Sequence, residues 1–138
     1  MTDPELLAKK LAFVETCVNE LRSMADPGRL DSDLREERFV VHTLQIAIQA
    51  VLDVGAHICA AERLGEPQSY REIFDLLVKH GWLPSTHAAS LRNMAGFRNV
   101  VVHGYESVNL GVVREILESH LQDLLDFVAA IRERLRTD

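Results

Sequence analysis

Residues 33–65 read DLREERFVVHTLQIAIQAVLDVGAHICAAERLG. Asp33 and Glu36 stand three apart ahead of an apolar run, the capping-box spacing that opens a helix. Gly65 supplies a stop. Between them the spacing predicts a helix of about thirty residues, apolar on most of its circumference. Such a helix must be covered on several sides. One small domain has few elements for that, so a partner helix from a second subunit is expected. Asp53, His42, His57, Gln45 and Gln49 punctuate residues 39–61 and argue against a membrane span.

Upstream, Asp3-Pro4 supplies a cap and a proline at the first helical position. Leu7, Leu11, Val14, Val18 and Leu21 then form one stripe, which Asp26-Pro27-Gly28 stops. Downstream, Gly65-Glu66-Pro67-Gln68 reads as a turn. Ser69 and Glu72 open a short third helix that ends at His80-Gly81. Trp82-Leu83-Pro84 connects it to a fourth helix capped by Ser85 and ending near His103. Asn109 starts the last helix, on which Val113, Leu117, Leu121, Leu124, Val128, Ile131 and Leu135 keep helical spacing. There is almost no strand signal, and the loops are short enough to make neighbours antiparallel. The expectation is an all-α, up-and-down antiparallel bundle of about five helices, homodimeric, with residues 1–138 as a single domain.

Length and composition agree. A chain of 138 residues fits one domain and buries about two-thirds of its unfolded surface. With 47% hydrophobic and 26% charged residues it has the profile of a soluble globular protein. Cys17 and Cys59 sit in apolar helical patterns and read as reduced core thiols. The N-terminus is acidic and polar, unlike a signal peptide, so a cytoplasmic location is expected. Net charge is −6, which disfavours a generic nucleic-acid binder. The average hides an asymmetry. Residues 76–105 contain Lys79, Arg92 and Arg98 and no acid, so this stretch is +3 and the remainder −9. A positive island on an acidic body suits a confined anionic ligand.

The chemistry-bearing residues lie at the end of that island, in Arg98-Asn99-Val100-Val101-Val102-His103-Gly104-Tyr105. Histidine exchanges protons near neutral pH, and arginine grips phosphate in a fixed fork. With no metal ligands close by in sequence, the pair suggests phosphate-ester chemistry without a metal or other cofactor. On a straight helix Arg98 and His103 are about 140° apart, whereas Asn99 and His103 share a face. Either the helix ends before His103 and frees the imidazole, or both copies of the motif face a cleft on a two-fold axis. A plainer alternative makes His103 a C-terminal cap and Arg98 the ion-pair partner of Asp53 or Glu106. Asp53, nearly the only charge in a long apolar run, is expected to be buried, either bracing Arg98 or His103 or linking helices. Tyr70, Phe74 and Trp82 are expected in core or interface packing, although an exposed aromatic could stack a nucleic-acid base.

The spacing Arg-x4-His-x-Tyr from Arg98 to Tyr105 resembles the signature of the HepT-like ribonucleases, a branch of the HEPN superfamily. Residues 45–58 (QIAIQAVLDVGAHI), the Gly65-Glu66-Pro67 turn, residues 69–74 and Met94-Ala95-Gly96-Phe97 ahead of the motif carry the same likeness, which spans about residues 5–130. The resemblance implies a homodimeric bundle with a composite cleft and metal-independent cleavage of RNA, mRNA or tRNA. Arg98 and His103 would be catalytic, with Asn99 supporting them and Asp53 as a brace. It also implies a toxin paired with a minimal nucleotidyltransferase antitoxin of the MntA type, which transfers AMP to Tyr105. The alternatives are a catalytically silent subunit that holds substrate or nucleotide for such an enzyme, or a dimeric interaction module.

Overall fold

The computed structural model describes residues 2–137, except for the side chain of Tyr105. Among the described residues all regular structure is helical: α1 (Pro4–Met24), α2 (Leu34–Ala61), α3 (Tyr70–Lys79), α4 (Ala88–His103), α5 (Leu110–Glu115) and α6 (Leu121–Arg136). Together they form an up-and-down bundle. α2 is its axis, flanked by α1, α3, α4 and α6.

The caps show why the helices begin where they do. Asp3 accepts from Leu6 N, Ser69 from Glu72 N, and Asn109 from Gly111 N and Val112 N. Asp33 accepts from Arg35 N and Glu36 N. Glu36 does not complete the expected capping box. Its carboxylate takes Asp26 N at 2.8 Å and clamps the α1–α2 connection. Ser85 also departs from expectation: it opens a short 3-10 turn, and α4 starts at Ala88 with no side-chain cap. α2 ends at Ala61, ahead of the expected Gly65 stop. Arg63 takes the left-handed conformation (φ 53°), and Leu64 N reaches Cys59 O at 2.9 Å. That is the Schellman closure, carried here by an arginine.

α2 is long and apolar enough to cross a bilayer by length and composition alone, contrary to the polarity expected of it. Its apolar face is instead taken up by the core, with Val40, Leu44, Ala47, Val51, Leu52 and Ile58 fully buried. Within one chain 56% of the most apolar window of α2 is buried, which leaves part of its circumference open to the expected partner helix. α3 covers one side of α2 at Gly55, where a Cβ would sit 2.5 Å from Ile73 Cγ2. The missing side chain lets α3 press directly onto α2.

The last predicted helix is realised as α5 and α6 joined by a π-helical turn, Ile116–His120. The buried stripe runs Val113, Ile116, Leu121, Leu124, Val128, Ile131, and Leu117 is only half-buried. The wide turn absorbs a five-residue step between Ile116 and Leu121. Just beyond it Asp123 accepts from Ser90 Oγ (2.6 Å) and lies 2.8 Å from His120 Nδ1, which ties α6 to α4. Cys17 and Cys59 are free and buried. Burial, with a smaller contribution from Glu20, pushes the Cys17 thiol up to about 11, and burial raises Cys59 as well.

Candidate functional site

α4 carries both Arg98 and His103 as one unbroken helix. His103 is its last residue and is exposed. Gly104 follows with φ 139°, a conformation L side chains rarely adopt, so the helix stops there. The helix therefore does not end short of His103. Within one chain Arg98 and His103 project about 140° apart, while Asn99 shares the His103 face. Tyr105 starts the short 3-10 turn Tyr105–Ser107 directly after Gly104; its side chain lies outside the described residues.

Arg98 is held by three neighbours from three helices. Its Nε donates to Gln49 Oε1 at 2.7 Å, and its Nη1 donates to Asn99 Oδ1 at 3.2 Å. The guanidinium carbon lies 4.9 Å from the centre of the Tyr70 ring. Gln49 is itself oriented. Its amide nitrogen donates to Asp53 Oδ1 at 2.8 Å, the i,i+4 partner on α2, so its oxygen faces Arg98. Lys10 of α1 in turn pairs with Asp53 Oδ2 at 3.1 Å.

These contacts correct two expectations. Asp53 is not buried: its side chain keeps 40% of its exposure. Nor does it touch Arg98 or His103; its influence reaches Arg98 only through Gln49. Tyr70 is not core either, being 36% exposed and lying against Arg98. Phe74 and Trp82 are core as expected, Phe74 packing edge-on to Phe127 at 6.3 Å between ring centres.

The electrostatic result is specific. Among the described residues no carboxylate pairs with Arg98, neither Asp53 nor Glu106. The Asp53 charge is answered by Lys10, and Arg98 leans on neutral acceptors and an aromatic face. Two of its five N–H donors are engaged, which leaves donors and a full positive charge for an anion. Arg92, by contrast, is neutralised by Asp75 at 2.5 Å. The positive island is therefore narrower than residue counting suggests and centres on Arg98.

Gln49, Lys10 and Tyr70 were not singled out for this role from sequence. The one local signal was a Gln–Asp pair four apart inside an apolar run. Two cavities flank the line of contacts. One, of about 470 Å³, is lined by Phe13, Lys10, Gln49 and Asp53. The other, of about 490 Å³, is lined by Tyr70, Gln68, Ala56 and Asn99. No cluster of three or more metal-ligating side chains occurs among the described residues.

Comparison with known proteins gives a consistent set of relatives. Residues 14–131 match the family model "Ribonuclease HepT-like". The chain is 29% identical over 129 residues to the mRNA nuclease HepT of Shewanella oneidensis, covering 93% of this chain and 97% of that protein. It is 23% identical over 137 residues to the tRNA nuclease HepT of Aphanizomenon flos-aquae, covering 98% and 93%. Among solved structures it resembles the tri-AMPylated Shewanella oneidensis HEPN toxin in complex with its MNT antitoxin. The TM-score is 0.85 at 29% identity, over 96% of this chain and 99% of that one.

Proposed function

This chain belongs to the HepT-like ribonuclease family, and from that premise we propose that it is a metal-independent RNA endonuclease. In this reading it is the toxin of a toxin–antitoxin pair, silenced when an MntA-like nucleotidyltransferase transfers AMP to Tyr105. The observation that carries the reading is the uncompensated Arg98 guanidinium, held in place by Gln49, Asn99 and Tyr70 on the helix that ends in His103.

The mechanism follows from the residue types. The ribose 2′-oxygen attacks the adjacent phosphorus and the bond to the 5′-oxygen breaks. One imidazole takes the 2′ proton and an imidazolium returns a proton to the leaving oxygen. Arg98 neutralises charge developing on the phosphorane-like transition state. Asn99, on the His103 face, orients the imidazole or the phosphate. The products are a 2′,3′-cyclic phosphate and a 5′-hydroxyl. Because Arg98 and His103 diverge around α4, one copy does not aim both at one point. A homodimer with both motifs facing a shared cleft does, and its two histidines divide the acid and base roles. AMP on Tyr105, two residues from His103, adds bulk and negative charge at that cleft. The RNA-directed names of the relatives, one mRNA and one tRNA, support RNA as substrate and leave its kind open.

The test is RNA cleavage in EDTA by wild type, Arg98→Ala and His103→Ala, with the product ends identified. Cleavage to cyclic phosphates by the wild type alone is the expected result. No cleavage by the folded, unmodified wild type overturns the reading in favour of a silent binding subunit.

A further inference from the structure

The cavity of about 490 Å³ beside Arg98 is built from Ala56 of α2, Pro67 and Gln68 of the α2–α3 connection, Tyr70 and Ile73 of α3, and Asn99 of α4. Two of these residues, Tyr70 and Asn99, are also the ones that steady the Arg98 guanidinium. Whatever fills the cavity therefore lies against the same two side chains that touch the Arg98 guanidinium, and beside any anion that guanidinium binds. The simplest occupant is a group covalently next to that anion.

The lining says what kind of group. Ala56, Pro67 and Ile73 give apolar walls, and Tyr70 adds an aromatic ring. At the rim two amides are each half used. Asn99 gives its oxygen to Arg98 and keeps its NH₂ to donate. The Gln68 NH₂ donates to Glu66 O at 3.3 Å, which leaves its oxygen to accept. An aliphatic group would use neither of these two exposed amides. A flat heterocycle with its own donor and acceptor satisfies walls and rim together. We infer that this cavity is a nucleobase subsite, seating a base of the RNA strand next to the phosphodiester on Arg98, with Tyr70 as its stacking wall. Unstacked RNA bases are recognised in this manner, by aromatic faces and by hydrogen bonds to their edges. One donor and one acceptor match the edge of every standard base. The subsite therefore demands a base without dictating which one.

This inference rests on the ribonuclease reading, and its test separates the two. Short RNAs are made with a 2′-deoxy nucleotide at the scissile position, so that they bind but cannot be cleaved. Each is paired with a copy lacking the base on one side of that phosphate. Binding to wild type, Ala56→Leu and Gln68→Ala is read by fluorescence anisotropy, with melting temperatures confirming that each variant is folded. Wild type is expected to bind the base-bearing strand about tenfold more tightly than the abasic one for one of the two flanking positions. Ala56→Leu, which fills the cavity from an exposed position on α2, abolishes that preference, and Gln68→Ala reduces it. Equal binding of both strands by wild type, or an undiminished preference in folded Ala56→Leu, overturns the subsite. Free AMP competing as well as the oligonucleotide overturns the strand as the source of the base. The all-ribose strands are assayed for cleavage in parallel. A base preference in binding without any cleavage sinks the ribonuclease reading and leaves the subsite standing. Cleavage indifferent to the missing base does the reverse.

Discussion

Gln49 is the residue on which the site turns, because it tethers an arginine without discharging it. Its amide cannot flip, since Asp53 requires the NH₂ end. Replacing it with alanine frees Arg98 and lowers kcat/KM for RNA by up to about a hundredfold, the scale on which an ångström of misplacement acts. Gln49→Glu lowers it further, because a carboxylate there neutralises the guanidinium. Steady-state kinetics alongside melting curves checks both; wild-type kinetics in two folded variants would remove Gln49 from the site. Arg98 and His103 could be proposed from sequence because residue type and order alone suggest their chemistry. Gln49, Lys10 and Tyr70 were not, because their role exists only where α1, α2 and α3 meet α4. Asp53 was misread as buried because the apolar run around it conceals a narrow polar edge of α2.

Helix contacts are decided by small residues, and two glycines make opposite predictions. Alanine is the better helix former by about 1 kcal/mol. At Gly55 a Cβ collides with Ile73 Cγ2, which is buried in the core and cannot yield. Gly55→Ala therefore destabilises the fold by about 1–3 kcal/mol net and displaces α3 with Tyr70. At Gly96 the same atom meets only the end of the flexible Arg71 side chain, Nη2 at 2.5 Å. Gly96→Ala is accordingly neutral or stabilising. Chemical denaturation of the two variants measures both signs, and like signs would contradict the packing assigned to Gly55. At this scale the α1 stripe and the caps at Asp3, Asp33, Ser69 and Asn109 were readable, because capping and periodicity are local. The stripe of the last helix was misassigned to Leu117. Periodicity assumes a constant turn, and the π turn lets Ile116 take the buried place.

For the molecule as a whole, the first and last helices are joined by charge. Glu15 of α1 takes Arg132 Nη1 and Nη2 of α6 at 2.9 and 2.7 Å. The Arg132 hydrogen bond holds the Glu15 carboxyl below its ordinary 4.5, with burial opposing. A lowered carboxylate stabilises the fold fully above that range, and the contribution is lost as pH falls beneath it. Both side chains are close to half exposed, so the pair contributes less than about 1 kcal/mol. Denaturation should find Glu15→Gln weaker than wild type at pH 7 and equal to it well below pH 4.5. A gap unchanged in acid would rule the pair out. Assembly has its own signature. If the cleft is shared and its two histidines divide the acid and base roles, a mixed dimer of one wild-type and one His103→Ala chain cleaves RNA no better than the His103→Ala homodimer; half of the wild-type rate in the mixed, folded dimer counts against a composite site. The helical bundle was readable from end to end, whereas the close packing of α3 on α2 at Gly55 was not, because a missing side chain leaves no trace in hydropathy.

The π turn also bears on how the chain can change length. A helix threaded through a packed core ordinarily tolerates no insertion or deletion, since one residue rotates everything beyond it by about 100°. Here a surplus residue is already stored between Ile116 and Leu121. Removing the exposed Ser119 brings those two buried residues to a four-residue step and leaves α6 facing the core. Relatives one residue shorter at this point can therefore keep the same fold, and deletion of Ser119 should leave a folded protein where deletion of Ala50 from α2 does not.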